Sequence, residues 1–225
     1  MAIIFWDFDG TLVYSNPLWS SSVYQALKAE DINTTVKFSD IRKCMAEGFT
    51  WHTPDQDYSQ LTGDKWWEFM NNKFYHDYTS LGVKSDTAEK AVKRIRDIIK
   101  DKSNYTLYPD TAPTLAALIK KGYKNVILSN NYPDLIEVIK ELDLDTYFDN
   151  IIVSANAGYD KPRLEIFELA KNLYPNNEYI MIGDNPVADI IGGKNANMKT
   201  ILVHNHQNSC ADYCFDELKS VLEIL

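Results

Sequence analysis

The stretch FWDFDGTLV, residues 5–13, places two acids directly behind an apolar run. Residues 2–8 are short, apolar and rich in isoleucine and aromatic side chains, which predicts a buried strand. Asp7 and Asp9 stand one residue apart, and residues i and i+2 of a strand project from the same face. Two like charges at the mouth of an apolar core repel each other, so at least one must be neutralised or countered.

Length and composition predict one large domain, or one domain with an insertion, and a sizeable core in the 225 residues. The formal charge of −9 argues against a partner that is a nucleic-acid polymer or an anionic membrane. No apolar stretch reaches the length of a membrane span, and the three cysteines do not form a disulfide framework in a chain of this size. The N-terminus lacks a basic region and a cleavage site, which predicts a cytoplasmic protein.

Two parts of the chain have different patterns. Between residues 14 and 108, helical patterns occur at about 17–30, 39–47, 63–80 and 86–101, and no strand is predicted there. This part predicts a helical insertion. Beyond it, predicted helices at 112–121, 133–142, 163–174, 186–195 and 216–225 alternate with apolar strands at 125–129, 150–154, 179–184 and 199–203. Alternating apolar strands and helices predict an α/β fold, with a Rossmann-like parallel sheet covered on both faces.

Polar residues follow four of the predicted strands. They are Asp7, Asp9, Gly10 and Thr11 after the first, Ser129 and Asn130 after the second, Lys161 after the third, and Asp184 and Asp189 after the fourth. Sites in open α/β sheets form outside the carboxyl ends of the strands, so we expect one crevice to hold this set. Three clustered carboxylates would repel each other without a cation, and oxygen ligands favour Mg²⁺. A hydroxyl, a lysine and Mg²⁺ suit phosphoryl transfer.

Taken in order, these motifs resemble those of the haloacid dehalogenase-like (HAD) hydrolase superfamily. The resemblance rests on DFDGT at 7–11, Ser129 behind NVIL, Lys161 in the pair KP, and GDNPVAD at 183–189. It implies a subclass I phosphatase, in which residues 1–13 and 108–225 form the α/β catalytic core and residues 14–107 form a helical cap domain.

The resemblance also implies a role for each motif residue. Asp7 would attack phosphorus and form an aspartyl-phosphate, while Asp9 would protonate the leaving oxygen and then activate water. Mg²⁺ would be held by the side chains of Asp7 and Asp184 and by the backbone carbonyl of Asp9. Asp189 would lie behind these ligands and orient water or Lys161. The expected phosphate-binding residues are Gly10, Thr11, Ser129, Asn130 and Lys161.

The expected function is therefore Mg²⁺-dependent hydrolysis of a small phosphorylated metabolite. Dehalogenase members of the family lack the second aspartate, so Asp9 favours phosphate ester chemistry. A sugar phosphomutase on the same core stays open, as do a catalytically silent binding protein and a phospho-acceptor signalling domain. The substrate is not readable from the cap or from Tyr14, Ser15 and Asn16 behind the first motif. The cap tryptophans are predicted to form core, and His52 an ordinary loop.

Overall fold

The computed structural model describes residues 2–15, 17–205 and 210–225, and Asn16 lies outside them. The strands are β1 (Ala2–Trp6), β2 (Val13–Tyr14), β3 (Thr106–Leu107), β4 (Lys124–Ser129), β5 (Asn150–Val153), β6 (Glu178–Gly183), β7 (Lys199–Val203) and β8 (Tyr213–Phe215). The α-helices are α1 (Leu18–Glu30), α2 (Phe38–Cys44), α3 (Asp64–Ser80), α4 (Ser85–Ile99), α5 (Thr111–Lys120), α6 (Leu135–Glu141), α7 (Ser154–Ala157), α8 (Leu164–Asn172) and α9 (Gly192–Asn195). Pro186–Ile191 forms a π-helix, and 3₁₀-helices cover Thr50–His52, Lys102–Asn104, Asp145–Tyr147 and Leu218–Glu223. Across these described ranges, no helix combines the length and the apolar character that crossing a membrane requires.

The main sheet is parallel, with the strand order β5-β4-β1-β6-β7-β8, which confirms the predicted α/β class. The first strand of the chain lies at its centre. Phe5 of β1 stands opposite Val126 of β4 and Met181 of β6. A central parallel strand is covered on both faces, which explains why residues 2–6 are apolar without alternation.

The two faces of the sheet are covered by different layers. Ile3 and Phe5 belong to a core that includes Phe167 of α8. Ile4 and Trp6 belong to a larger core that continues into the helices before β3. Since successive strand residues point to opposite faces, this division follows directly from their positions in β1.

Helices α1 to α4 and their connections, residues 18–99, form what we call the helical block. Its most extensive contact between helices joins α1 to α4. Helix α4 buries one face through apolar residues three or four positions apart, namely Ala88, Ala91, Val92, Ile95 and Ile99. Asp86 in its first turn and Arg96 in its last turn suit the helix dipole. The division of the chain into a core and a cap at residues 14–107 stays a prediction.

The helical block lies against the carboxyl edge of the sheet. The Arg96 guanidinium donates to both carboxylate oxygens of Asp134, at 3.0 and 2.7 Å, and Trp67 Nε1 donates to the same carboxylate at 2.7 Å. The backbone N–H of Gly63 donates to the carbonyl of Ala155 at 3.0 Å. Asp134 follows β4 and Ala155 follows β5, so these bonds hold the block over the strand ends.

Two expectations about secondary structure are wrong. No strand was expected between residues 14 and 108, yet β3 lies there and pairs antiparallel with β2, with Val13 opposite Leu107. Two-residue strands are too short to produce a periodic signal. A helix was expected at 216–225, but β8 adds a parallel strand beside β7 just before it, and only a 3₁₀-helix follows. That helix packs on α5, so tertiary contacts decided the form of this weak amphipathic segment.

Candidate active site

The carboxyl ends of β4, β1 and β6 lie side by side and bring three predicted site residues together. Asp7 follows β1 directly, Ser129 ends β4 and Asp184 follows β6. Because β1 pairs with both other strands, residues as far apart as 122 positions come into hydrogen-bond contact. This is the edge at which open α/β sheets hold their ligands.

Asp7 is held by a hydroxyl and by a cation. Ser129 Oγ donates to Asp7 Oδ1 at 2.8 Å, and Lys161 Nζ lies 3.0 Å from the same oxygen. The Lys161 side chain is only 1 % exposed. Burial by itself would lower the pKa of Lys161, but the carboxylates of Asp189 and Asp7 outweigh it and keep this pKa above its ordinary value. Lys161 therefore offsets the charge of Asp7 as a permanent cation.

Asp189 stands on the far side of Lys161, on the π-helix. Its Oδ1 accepts from Lys161 Nζ at 2.6 Å, and its Oδ2 accepts from the backbone N–H of Asn185 at 2.9 Å. The side chain is fully buried, and a Cβ at Gly183 would overlap its carboxylate. With both oxygens engaged, Asp189 is suited to orient Lys161, which is the role predicted for it.

Asp9 has a separate set of partners. Asn131 Nδ2 donates to Asp9 Oδ2 at 2.7 Å, and Ser15 Oγ donates to Oδ1 at 3.3 Å. Burial, together with the nearby charge of Asp7, raises the pKa of Asp9 to about 6, although the two donors partly oppose that shift. A carboxyl with such a pKa exchanges its proton near neutral pH, as an acid–base group must.

Sequence reasoning missed the contribution of Asn131. The available signal was its position in the run Ser129-Asn130-Asn131 directly behind β4. The side chain of Asn130 is used differently, since it exchanges hydrogen bonds of 2.8 and 2.7 Å with the backbone of Lys161. Thr11 is buried, its Oγ1 lacks a partner among the described residues, and its carbonyl lies 3.2 Å from His204 Nε2. The predicted phosphate-binding roles of Asn130 and Thr11 stay predictions.

Carboxylate oxygens of Asp7, Asp184 and Asp189 lie within 4.8 Å of one another. Burial, with Asp7 and Asp189 nearby, raises the pKa of Asp184 to about 8. Such a cluster is electrostatically unfavourable by itself, and an all-oxygen donor set is the kind that Mg²⁺ takes. Gly10 has a φ of +80°, and a Cβ there would overlap the Asp184 carboxylate, so glycine is what leaves room for this side chain. Since both oxygens of Asp189 are engaged, Asp7 and Asp184 are the carboxylates of this cluster that fit a divalent cation.

Two adjoining cavities open at this edge. The first, of about 570 Å³, is lined by Asp7, Asp9, Trp51, His52, Pro54, Asn130, Lys161, Pro162, Asp184, Asn185, Val187 and Ala188. The second, of about 350 Å³, shares Asp9, Trp51 and Asn130 with it. Trp66 and Trp67 are buried core, as predicted for the tryptophans of this region. Trp51 and His52 instead line the site, which no local sequence signal indicated.

Comparisons with known proteins show the family of this chain. Residues 1–197 match the family model described as haloacid dehalogenase-like hydrolase. The chain belongs to this family. Among solved structures, YfnB from Bacillus subtilis superposes with a TM-score of 0.75 at 19 % identity, covering 100 % of this chain and 98 % of that one. A 2-haloacid dehalogenase from Pseudomonas syringae gives a TM-score of 0.71 at 19 % identity, covering 100 % and 97 %. At such identities these likenesses show the fold of the HAD hydrolase alone.

Curated relatives of this HAD hydrolase include phosphatases. The glyceraldehyde 3-phosphate phosphatase of Pyrococcus furiosus is 35 % identical over 129 residues, which cover 52 % of this chain and 53 % of that protein. The first relatives found are matched over about half of their length. The pyrimidine 5'-nucleotidase YjjG of Escherichia coli is 26 % identical over 217 residues, covering 90 % of this chain and 86 % of the relative.

Proposed function

We propose that this protein is a Mg²⁺-dependent phosphatase that hydrolyses a small phosphorylated metabolite through an aspartyl-phosphate on Asp7. One observation carries the proposal. Asp7 is fixed by Ser129 and Lys161, while a second acid, Asp9, borders the same cavity with its own donors and a raised pKa. A nucleophile and an acid–base group are thereby held apart, as two-step phosphoryl transfer needs.

In the first step, a carboxylate oxygen of Asp7 attacks phosphorus and the ester P–O bond breaks. Asp9, in its protonated form, gives its proton to the leaving alcohol oxygen. In the second step, Asp9 as a carboxylate takes a proton from a water molecule that attacks the same phosphorus. The bond between phosphorus and Asp7 then breaks, which releases inorganic phosphate and regenerates both acids.

The side chains of Asp7 and Asp184, with the backbone carbonyl of Asp9, would hold the Mg²⁺ ion. When bound, the ion would counter the charge of the phosphoryl oxygens and act as a Lewis acid. The clustered carboxylates and the room left by Gly10 support this assignment. The structure of YfnB is described as bound to magnesium.

The relatives support a small phosphate monoester as substrate. Their names include glyceraldehyde 3-phosphate phosphatase and, at 28 % identity over 118 residues, the phosphoserine phosphatase of Thermus thermophilus. Asp9 argues for ester chemistry, because an alkoxide leaving group needs a proton. A phosphomutase would use the same groups and return the phosphoryl group to its substrate.

Turnover of p-nitrophenyl phosphate tests the proposal. Asp7→Asn is expected to reduce the rate at least ~10³-fold, since it removes the nucleophile. Asp145→Asn, the same change at an exposed position, is the matched control and keeps the activity. We expect a chelator to abolish turnover and added Mg²⁺ to restore it.

Three outcomes would contradict parts of this assignment. Mg²⁺-dependent turnover in Asp7→Asn would contradict the assignment of Asp7 as the nucleophile. A rate that is unchanged by the chelator would contradict the requirement for Mg²⁺. Conversion of a sugar phosphate into its isomer, without release of inorganic phosphate, would identify a mutase instead.

A further inference from the structure

The cavity of about 350 Å³ beside Asp9, which we call the leaving-group cavity, limits which esters fit. Its walls are formed by Asp9, Ser15, Pro17, Leu18, Trp19, Ser20, Met45, Trp51, Asn130 and Asn131. Asp9 also borders the cavity that contains Asp7, Lys161 and Asp184, so its carboxyl lies where the two meet. If Asp9 protonates the leaving oxygen, as the proposed function requires, the alcohol of the substrate extends into the leaving-group cavity.

The two cavities offer no free positive charge among their described lining residues. Asp9 is the ionisable group among the described residues that line the leaving-group cavity. Lys161 is the cation of the adjoining cavity, and its ammonium group already forms ion pairs with Asp7 and Asp189 at 3.0 and 2.6 Å. Within the described residues, neither cavity therefore offers a cation for a second anionic group on the substrate.

Two nearby basic side chains do not change this balance. Burial and the charge of Lys73 lower the pKa of His52, which disfavours its cationic form. Lys73 Nζ is bound to Asp77 Oδ2 at 2.7 Å and to the carbonyl of Cys44 at 2.8 Å. It lies over the ring of Phe49 rather than among the cavity-lining residues.

The leaving-group cavity instead suits an uncharged group with hydroxyls and an apolar face. The indole of Trp51 is stacked on Phe49, with ring centroids 4.7 Å apart and planes at 14°, so its orientation is fixed. Trp19 and Met45 add apolar surface. Ser20 and Asn131 are uncharged polar residues of the same wall.

We propose that the substrate is a phosphate monoester of an uncharged polyhydroxy alcohol, and that esters carrying a carboxylate or a second phosphate are rejected. The physical reason is that the leaving-group cavity holds no cation among the described residues, so a second anion there would leave water without gaining a counter-charge. We expect the loss of hydration by such an unpaired anion to lower kcat/KM by about 100-fold.

Matched substrates test this. Glycerol 3-phosphate and 3-phosphoglycerate differ at one terminal carbon, which is an alcohol in the first and a carboxylate in the second. We expect kcat/KM to be about 100-fold higher for glycerol 3-phosphate. Glucose 6-phosphate against glucose 1,6-bisphosphate gives a second pair. Where turnover is too slow to follow, competitive inhibition of p-nitrophenyl phosphate hydrolysis gives the ratio of the two affinities. Each pair therefore gives a ratio of kcat/KM or of affinities.

A cation added to the cavity wall should reverse the preference. Ser20→Lys is expected to raise kcat/KM for 3-phosphoglycerate at least ~10-fold. Ser21→Lys is the matched control, because Ser21 lines a different cavity together with Gln25, Ser103 and Thr106, and it leaves the ratio unchanged. If circular dichroism shows that Ser20→Lys does not fold, Met45→Lys places the charge on another part of the wall.

The outcomes separate this inference from the function on which it rests. Loss of p-nitrophenyl phosphate turnover in the unmodified protein would mean that the proposed function fails. Normal turnover with equal kcat/KM or equal affinity within the pairs, or a folded lysine variant that leaves the ratio unchanged, would overturn the uncharged-alcohol proposal alone.

Discussion

The carboxyl edge of the sheet and the helical block are both densely packed, but they are built from different chemistry. At the sheet edge, the buried side chains include Lys161 at 1 % and Asp189 at 0 % exposure, joined by short charged hydrogen bonds. Inside the helical block, aromatic rings pack against one another, and Trp66 and Trp67, for example, meet edge to face at 5.2 Å and 88°. The rings of Trp19 and Phe49 lie 4.8 Å apart.

This difference indicates how each region tolerates change. Aromatic packing depends on shape and area, so substitution there changes stability gradually. Buried charges depend on specific partners, and removing one leaves the other uncompensated. The sheet edge should therefore be far more sensitive than the helical block to a single side-chain change.

Lys161→Met tests this contrast with the largest expected effect. It leaves the carboxylates of Asp7 and Asp189 without their cation and should lower the free energy of unfolding by about 3–5 kcal/mol. Lys43→Met, in the helical block, removes a lysine that is 80 % exposed in a 3.5 Å pair with Asp40, and should change it by less than about 0.5 kcal/mol. Denaturant unfolding at constant Mg²⁺ measures both.

A second substitution sharpens that result. Adding Asp189→Asn to Lys161→Met removes one of the two orphaned charges and should recover part of the lost stability. Equal losses for the two lysine variants would mean that burial of charge does not distinguish the regions.

Gly10→Ala and Gly82→Ala compare the same change in the two regions. Their φ angles are +80° and +83°, so each alanine costs about 1–2 kcal/mol of backbone strain. A Cβ at Gly82 meets nothing within 4 Å, whereas a Cβ at Gly10 overlaps the carboxylate of Asp184. Gly10→Ala alone should raise the Mg²⁺ concentration for half-maximal activity at least ~10-fold. The same Mg²⁺ dependence in both variants would disprove the link between Gly10 and Asp184.

Arg96→Met against Arg94→Met tests the junction of the two regions and has the smallest expected effect. Arg96 joins the helical block to Asp134 behind β4, where loss of its charged hydrogen bonds should cost about 1–2 kcal/mol. Arg94 pairs with Glu30 inside the block, and its removal should cost less than about 1 kcal/mol. Thermal unfolding of both variants decides the order, and a larger loss for Arg94→Met would contradict it.

Much of the sheet could be predicted because its signals are local. An unbroken apolar run marks β1, and the acids and small residues behind β1 and β6 mark where those strands end. The residues that bind the Asp9 carboxyl were harder to predict from the sequence. Asn131 was not assigned because an asparagine after a strand is also a routine turn residue. Trp51 was assigned to core because apolar residues in a helical region usually are.

The sequence by itself determined the alternation of strands and helices, the family and the acids, hydroxyl and lysine available for chemistry. These follow from periodicity and from short contiguous motifs. Only the tertiary structure decided that Lys161 joins Asp7 to Asp189, that Asn131 and Ser15 share Asp9, and that Trp51 borders both cavities. The physical reason is that parallel pairing at the central strand brings distant segments together. Which side chains then meet depends on packing across the whole chain.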